Sequence, residues 1–129
     1  MRGRLALLVG SLILAAAPAS AARLAPEAEL EKALEGRVAG EPVRCINLSR
    51  VNGTQIIAGT AILYRIGGTI YVNRPAGGAR SLDSWDVLVT RTFSSELCSR
   101  EVVELRDSPR LTPNGMVFLG EFVPYRKAS

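Results

Sequence analysis

Thr60-Ala-Ile-Leu-Tyr-Arg-Ile-Gly-Gly-Thr-Ile-Tyr-Val-Asn-Arg-Pro75 holds two runs of β-branched, aliphatic and aromatic residues on either side of Gly67-Gly68. A two-residue hairpin turn needs positive φ, which glycine adopts without a Cβ clash, so the stretch predicts a β-hairpin whose second strand ends at Pro75. Strand alternation puts Ile62, Tyr64 and Ile66 on one face and Ala61, Leu63 and Arg65 on the other. Arg65 falls beside the turn, and Asn73 near the open end.

Upstream, Val43 to Leu48 alternates as a strand, and Asn52-Gly53 is a two-residue turn signal handing the chain to Thr54–Ile57. Downstream, Arg74 to Ser84 is a Gly- and Pro-containing surface loop, and Trp85 to Phe93 resumes a strand. Ser94 to Cys98 is expected to be a turn or a single helical turn with Leu97 pointing inward. Glu101 to Arg106 reads as a strand with Val103 and Leu105 on the core side. Met116 to Val123 is the last strand, with Gly120 marking a bulge or a close backbone approach and Pro124 ending it. The expected fold is mainly β: a small antiparallel barrel or sandwich of about six to seven short strands.

Pro26 to Gly36 predicts a short N-terminal helix, with proline and acids in its first turn and glycine at its end. Its narrow stripe of Leu30, Ala33 and Leu34 must pack on the sheet, or the helix frays. The expected division is a signal peptide over 1–21, a helix and linker over 22–42, one β-rich domain over 43–124 and a flexible tail over 125–129. The signal peptide rests on Arg2 and Arg4 before the uncharged apolar run Leu5–Ala17, with Pro18-Ala-Ser-Ala21 supplying small residues for cleavage after Ala21. The run is shorter than the roughly 20 apolar residues a membrane span needs. A periplasmic or secreted location is expected.

The chain has 129 residues and a formal charge of +4. Removal of Arg2 and Arg4 leaves a mature charge of +2 (14 basic against 12 acidic residues). The arginines are scattered beside acids, as in Ser99-Arg-Glu101, and form no basic stripe interleaved with aromatics, so nucleic acid is not an expected partner. Histidine is absent, which removes His-dependent nucleophile systems and His-based zinc sites. Gly67-Gly68 and Gly77-Gly78 lack the lysine and helix of a phosphate-binding loop. The oxygen-rich spacing of a calcium loop is missing as well, and no cofactor is expected.

Cys45 and Cys98 are the only cysteines. In an oxidising compartment they are expected to pair; two free thiols or an intermolecular bridge are the alternatives. A crosslink closing a loop of that length is worth about 4 kcal/mol in the chain-entropy model. Asp83 and Asp86, three apart beside Trp85, form the one plausible acid–base pair, and a small hydrolase using them is the enzymatic alternative. The same residues suit loop-ending positions where Asp bonds nearby amides. Tyr71, Asn73, Arg74 and Arg91, all expected to be exposed, form a candidate patch for an anionic group.

Arg44-Cys-Ile-Asn-Leu48, Ala61-Ile-Leu-Tyr-Arg65, Tyr71-Val-Asn-Arg74, Leu97-Cys98 and Leu119-Gly-Glu-Phe122 follow one another in an order that resembles a family of small exported proteins of Gram-negative bacteria carrying a domain of unknown function. The resemblance covers about residues 43–124. Many members carry a second cysteine pair, whose positions here correspond roughly to Ala79 and Val117; their joint absence implies that Cys45 and Cys98 are each other's partners. The resemblance implies export and one compact domain, without a reaction or ligand. The reading from sequence is a non-enzymatic binding or envelope-associated module acting on a cell-envelope component or a periplasmic protein. An accessory subunit working through a protein partner is the further alternative.

Overall fold

The computed structural model describes residues 3, 8–13 and 24–129. The expected cleavage point after Ala21, and most of the expected signal peptide, lie outside the described residues. No helix among the described residues is long and apolar enough to cross a membrane.

The predicted hairpin is the centre of the fold. Strands β4 (Ala61–Ile66) and β5 (Thr69–Asn73) pair through Ile66↔Thr69 with Gly67-Gly68 as the turn, and Gly67 takes φ +56°. β3 (Gly53–Ile57) adds to the other side of β4, and β10 (Phe122–Lys127) to the other side of β5. With β1 (Arg37–Ala39) against β10, the order of this antiparallel sheet is β1-β10-β5-β4-β3. Two smaller antiparallel sheets complete the molecule. One is β6-β8-β9, from Val87–Thr90, Val102–Arg106 and Pro113–Phe118; the other pairs β2 (Cys45–Asn47) with β7 (Glu96–Cys98).

The alternation along β4 divides the core as expected. Ile62 and Tyr64 face a cluster that includes Ile46, Leu97, Val103, Leu105, Val117 and Phe122, so the two small sheets pack on this side. Ala61 and Leu63 face the opposite cluster with Ile57, Ile70 and Val72. The helix α1 (Pro26–Ala33) docks there through Leu30, which is buried, while Ala33 and Leu34 pack partly against the same cluster. Gly36, at φ +74°, turns the chain out of the helix into β1.

The result is mainly β, with ten strands among the described residues and no closed barrel; the layered arrangement fits a sandwich only loosely. Most of the extra strands come from segments whose sequence argues for something else. Residues 37–42 and 125–129, expected as linker and tail, supply β1 and the end of β10, which pair Arg37↔Lys127, Val38↔Arg126 and Ala39↔Tyr125. Pro124 does not end the last strand: proline lacks only an N–H, and its carbonyl still accepts from Gly40 N at 2.7 Å just where β1 stops. The expected strand 116–123 is two strands broken around Gly120. Asn52-Gly53 makes no hairpin turn, because β2 pairs with β7 and not with β3. A 3-10 turn over Leu48–Arg50 takes its place, capped by Asn47 Oδ1, which accepts from Ser49 N at 3.0 Å. Ser94–Cys98 contains β7 instead of a helical turn, although Leu97 is buried as expected.

Cys45 and Cys98 sit directly opposite each other in the β2–β7 ladder and form a disulfide. It ties the small two-stranded sheet together at the register that also buries Ile46 and Leu97.

Candidate functional site

The four residues of the expected anion patch do not come together. Asn73 is fully buried, not exposed. Its Nδ2 donates to Gly120 O at 2.8 Å and its Oδ1 accepts from Gly120 N at 3.0 Å. The side-chain amide thus pairs with both polar groups of the glycine at the break before β10, which offsets the cost of burying it. A Cβ on Gly120 would run into Arg74 O, so this clasp requires glycine, as the sequence suggests for a close backbone approach. Tyr71 is half-buried against the cluster that contains Tyr64. Arg74 turns to α1, where its guanidinium grips the Glu27 carboxylate in a fork at 2.8 and 3.0 Å. That contact holds the Glu27 carboxyl below its ordinary range and raises Arg74 further. Arg91 directly follows β6, 3.7 Å from Glu104 of β8. Asn73, Tyr71 and Arg74 are thus engaged within the fold, while the Arg91 side chain is largely exposed.

Asp83 and Asp86 do lie together, but as parts of one loop. Asp86 Oδ2 accepts from Asp83 N at 2.9 Å, and Asp86 Oδ1 accepts from Asn114 Nδ2 at 2.8 Å. Asp83 Oδ1 accepts from Trp85 N at 3.4 Å. These are the bonds of a loop-ending acid pair, and both Asp86 oxygens are engaged in them. Cys45, Glu96 and Cys98 also cluster, but metals bind thiolates, and both sulfurs here are consumed by the disulfide.

The concave surface with unspent chemistry lies elsewhere, between β3 and β6. A groove of about 680 Å³ is lined by Leu48 and Val51, by Thr54, Gln55 and Ile56 of β3, by Tyr64, and by Val87, Leu88 and Thr90 of β6. Glu29 of α1 and Asp86 stand among its walls. It follows directly from the topology. β3 ends the five-stranded sheet and β6 ends the three-stranded one, and among the described residues neither pairs with a further strand on its outer side.

Tyr64 lines this groove from the core side. The residue is 2% exposed, and its ring packs edge-on against Phe122 with centroids 5.8 Å apart. Among the described residues its hydroxyl is the buried side-chain nitrogen or oxygen that has no hydrogen-bond partner. An unpaired buried hydroxyl costs about 1–3 kcal/mol, and burial pushes the phenol's pKa up because the anion would be poorly solvated. A phenylalanine would pack in the same place without that cost. Adjoining the groove, and sharing Glu29 and Ser84 with it, a second hollow of about 550 Å³ carries Trp85, whose indole is 77% exposed. The alternation of β4 places Tyr64 on the core face, but no sequence signal marks its hydroxyl as orphaned, since this depends on which groups of the other elements surround it.

No family model, curated protein or solved structure matches the chain.

Proposed function

We propose that the protein is an exported, periplasmic or secreted, non-enzymatic binding module whose ligand occupies the groove between β3 and β6. The observation that carries this reading is the groove itself, edged by two open strands and lined in part by Tyr64, whose hydroxyl is buried beneath it without a partner. Such a group is costly in the free protein, and a ligand that uncovers it on seating and brings an acceptor removes that cost. The engagement of both Asp86 oxygens within their own loop favours binding over hydrolysis by Asp83 and Asp86.

Export is supported by the basic, apolar and small-residue pattern of residues 1–21 and by the disulfide, a bond typical of oxidising compartments. The likeness to small exported proteins of Gram-negative bacteria supports it too. At Gly78, a Cβ would stand 3.2 Å from Val117 Cα, so the segment preceding Ala79 lies against β9, near where that family's second cysteine pair would fall. An intact mass of the protein recovered from outside the cytoplasm tests export: cleavage after Ala21 is expected, and a full-length mass would contradict it.

The binding reading is tested by mixing the purified mature domain with isolated cell-wall sacculi, outer-membrane vesicles and soluble periplasm. Retention of the wild type on one fraction, reduced at least about fivefold by Tyr64→Phe, is expected, since one hydrogen bond to a buried hydroxyl is worth about that much. Equal retention of both proteins, or none of either, would remove the groove from consideration.

A further inference from the structure

We propose that the occupant of the β3–β6 groove is an extended peptide segment of a partner protein, which adds as a strand to the open edge of β3 and places a Lys or Arg side chain between Glu29 and Asp86. The proposal rests on the groove reading above and names its ligand. An edge strand turns every second N–H and C=O away from its sheet, and a peptide backbone satisfies such a row group by group. β3 offers this edge at Thr54–Ile56 on one side of the groove, and β6 forms the opposite wall. Apolar Leu48, Val51, Ile56 and Leu88 suit the inward, alternate side chains of a strand. The Tyr64 hydroxyl, buried and unpartnered beneath the groove, would donate to a peptide carbonyl once seating of the strand uncovers it.

The sign of the charge follows from the walls. Among the described residues, the ionisable groups lining the groove at neutral pH are Glu29 and Asp86, both acids; the nearest cation in contact with a lining residue is Arg65, whose guanidinium donates to Gln55 Oε1 at 3.4 Å. Glu29 forms no ion pair among the described residues. A basic side chain is therefore attracted, while phosphate-bearing and acidic ligands are repelled. The exposed indole of Trp85, in the hollow that shares Glu29 with the groove, offers a face for the same cation.

The test uses acetylated, amidated hexapeptide pools alternating Val and Thr, with Lys, Gln or Glu at the third position, and a Lys pool N-methylated at alternate residues. Binding to the mature domain is measured by polarisation of a fluorescent label. The Lys pool is expected to bind at least about tenfold tighter than the Glu pool, and Glu29→Gln should shrink that ratio to about threefold or less. N-methylation, which removes the edge-pairing donors, should abolish binding. Undiminished binding of the N-methylated pool would overturn strand addition, and equal binding of the Lys and Glu pools would overturn the basic preference. If no pool binds while the wild type, unlike Tyr64→Phe, is retained on an envelope fraction, the peptide is overturned and the groove stands. If retention also fails to depend on Tyr64, both fall.

Discussion

Two buried polar side chains, Tyr64 and Asn73, are treated in opposite ways by the same sheet. Asn73 is completely satisfied by Gly120, so removing its amide leaves a peptide N–H and C=O without partners. Asn73→Ala is expected to lower stability by about 2–3 kcal/mol in urea unfolding. Gly120→Ala should cost a similar amount, about 1–3 kcal/mol, because the new Cβ meets the backbone of Arg74 and Ala76 in the segment that leaves β5. Tyr64→Phe should behave in reverse: unchanged stability or a gain of about 1 kcal/mol, together with weaker binding. A loss of stability of that size would show that the hydroxyl serves the fold. The Tyr64 phenol also has a sign in alkali. An unfolded tyrosine ionises near pH 10, and the folded one only higher, so its contribution is complete below about pH 10 and is lost as pH rises further. In an absorbance titration the Tyr64 phenol should ionise only as the protein unfolds.

At the scale of elements, α1 is held by one apolar anchor and one forked ion pair. Leu30→Ala should cost about 2–4 kcal/mol, the usual range for a buried leucine, and should expose Ile57 and Leu63 beneath the helix. The Glu27–Arg74 pair is exposed on both sides and acts chiefly to orient the helix. Because Glu27 is held below its ordinary range, its contribution is present at neutral pH and lost as pH falls through that depressed value. Carbon NMR should show the Glu27 titration moving upward in Arg74→Ala; an unmoved midpoint would mean that the pair does not persist in solution. Elements with strong local signals were legible in the sequence: the β4–β5 hairpin, α1, the inward face of β8 and the special role of Gly120. Those created by pairing partners were not. β1 and the end of β10 stabilise each other across most of the chain, and β7 is a strand because β2 lies beside it, so neither has a local pattern to read.

On the scale of the whole molecule, the large sheet carries a helix on one face and two small sheets on the other, and the disulfide locks the smaller of these. Reduction should lower stability by about 4 kcal/mol and destabilise β2–β7 first, which amide exchange at Ile46 and Leu97 would reveal. The candidate site was less legible than the fold. Arginines and acids attract attention in a sequence, yet Arg74, Arg91, Asp83 and Asp86 are engaged with near neighbours. The groove arises where two sheets end side by side, and neither edge is marked by residue type. Its most direct test is to map amide shifts of the isotope-labelled mature domain as the retaining envelope fraction, solubilised, is added. Shifts concentrated at Thr54–Ile56 and Val87–Thr90, and lost in Tyr64→Phe, are predicted. Shifts centred on any other surface, with β3 and β6 unmoved, would contradict the groove as the binding site.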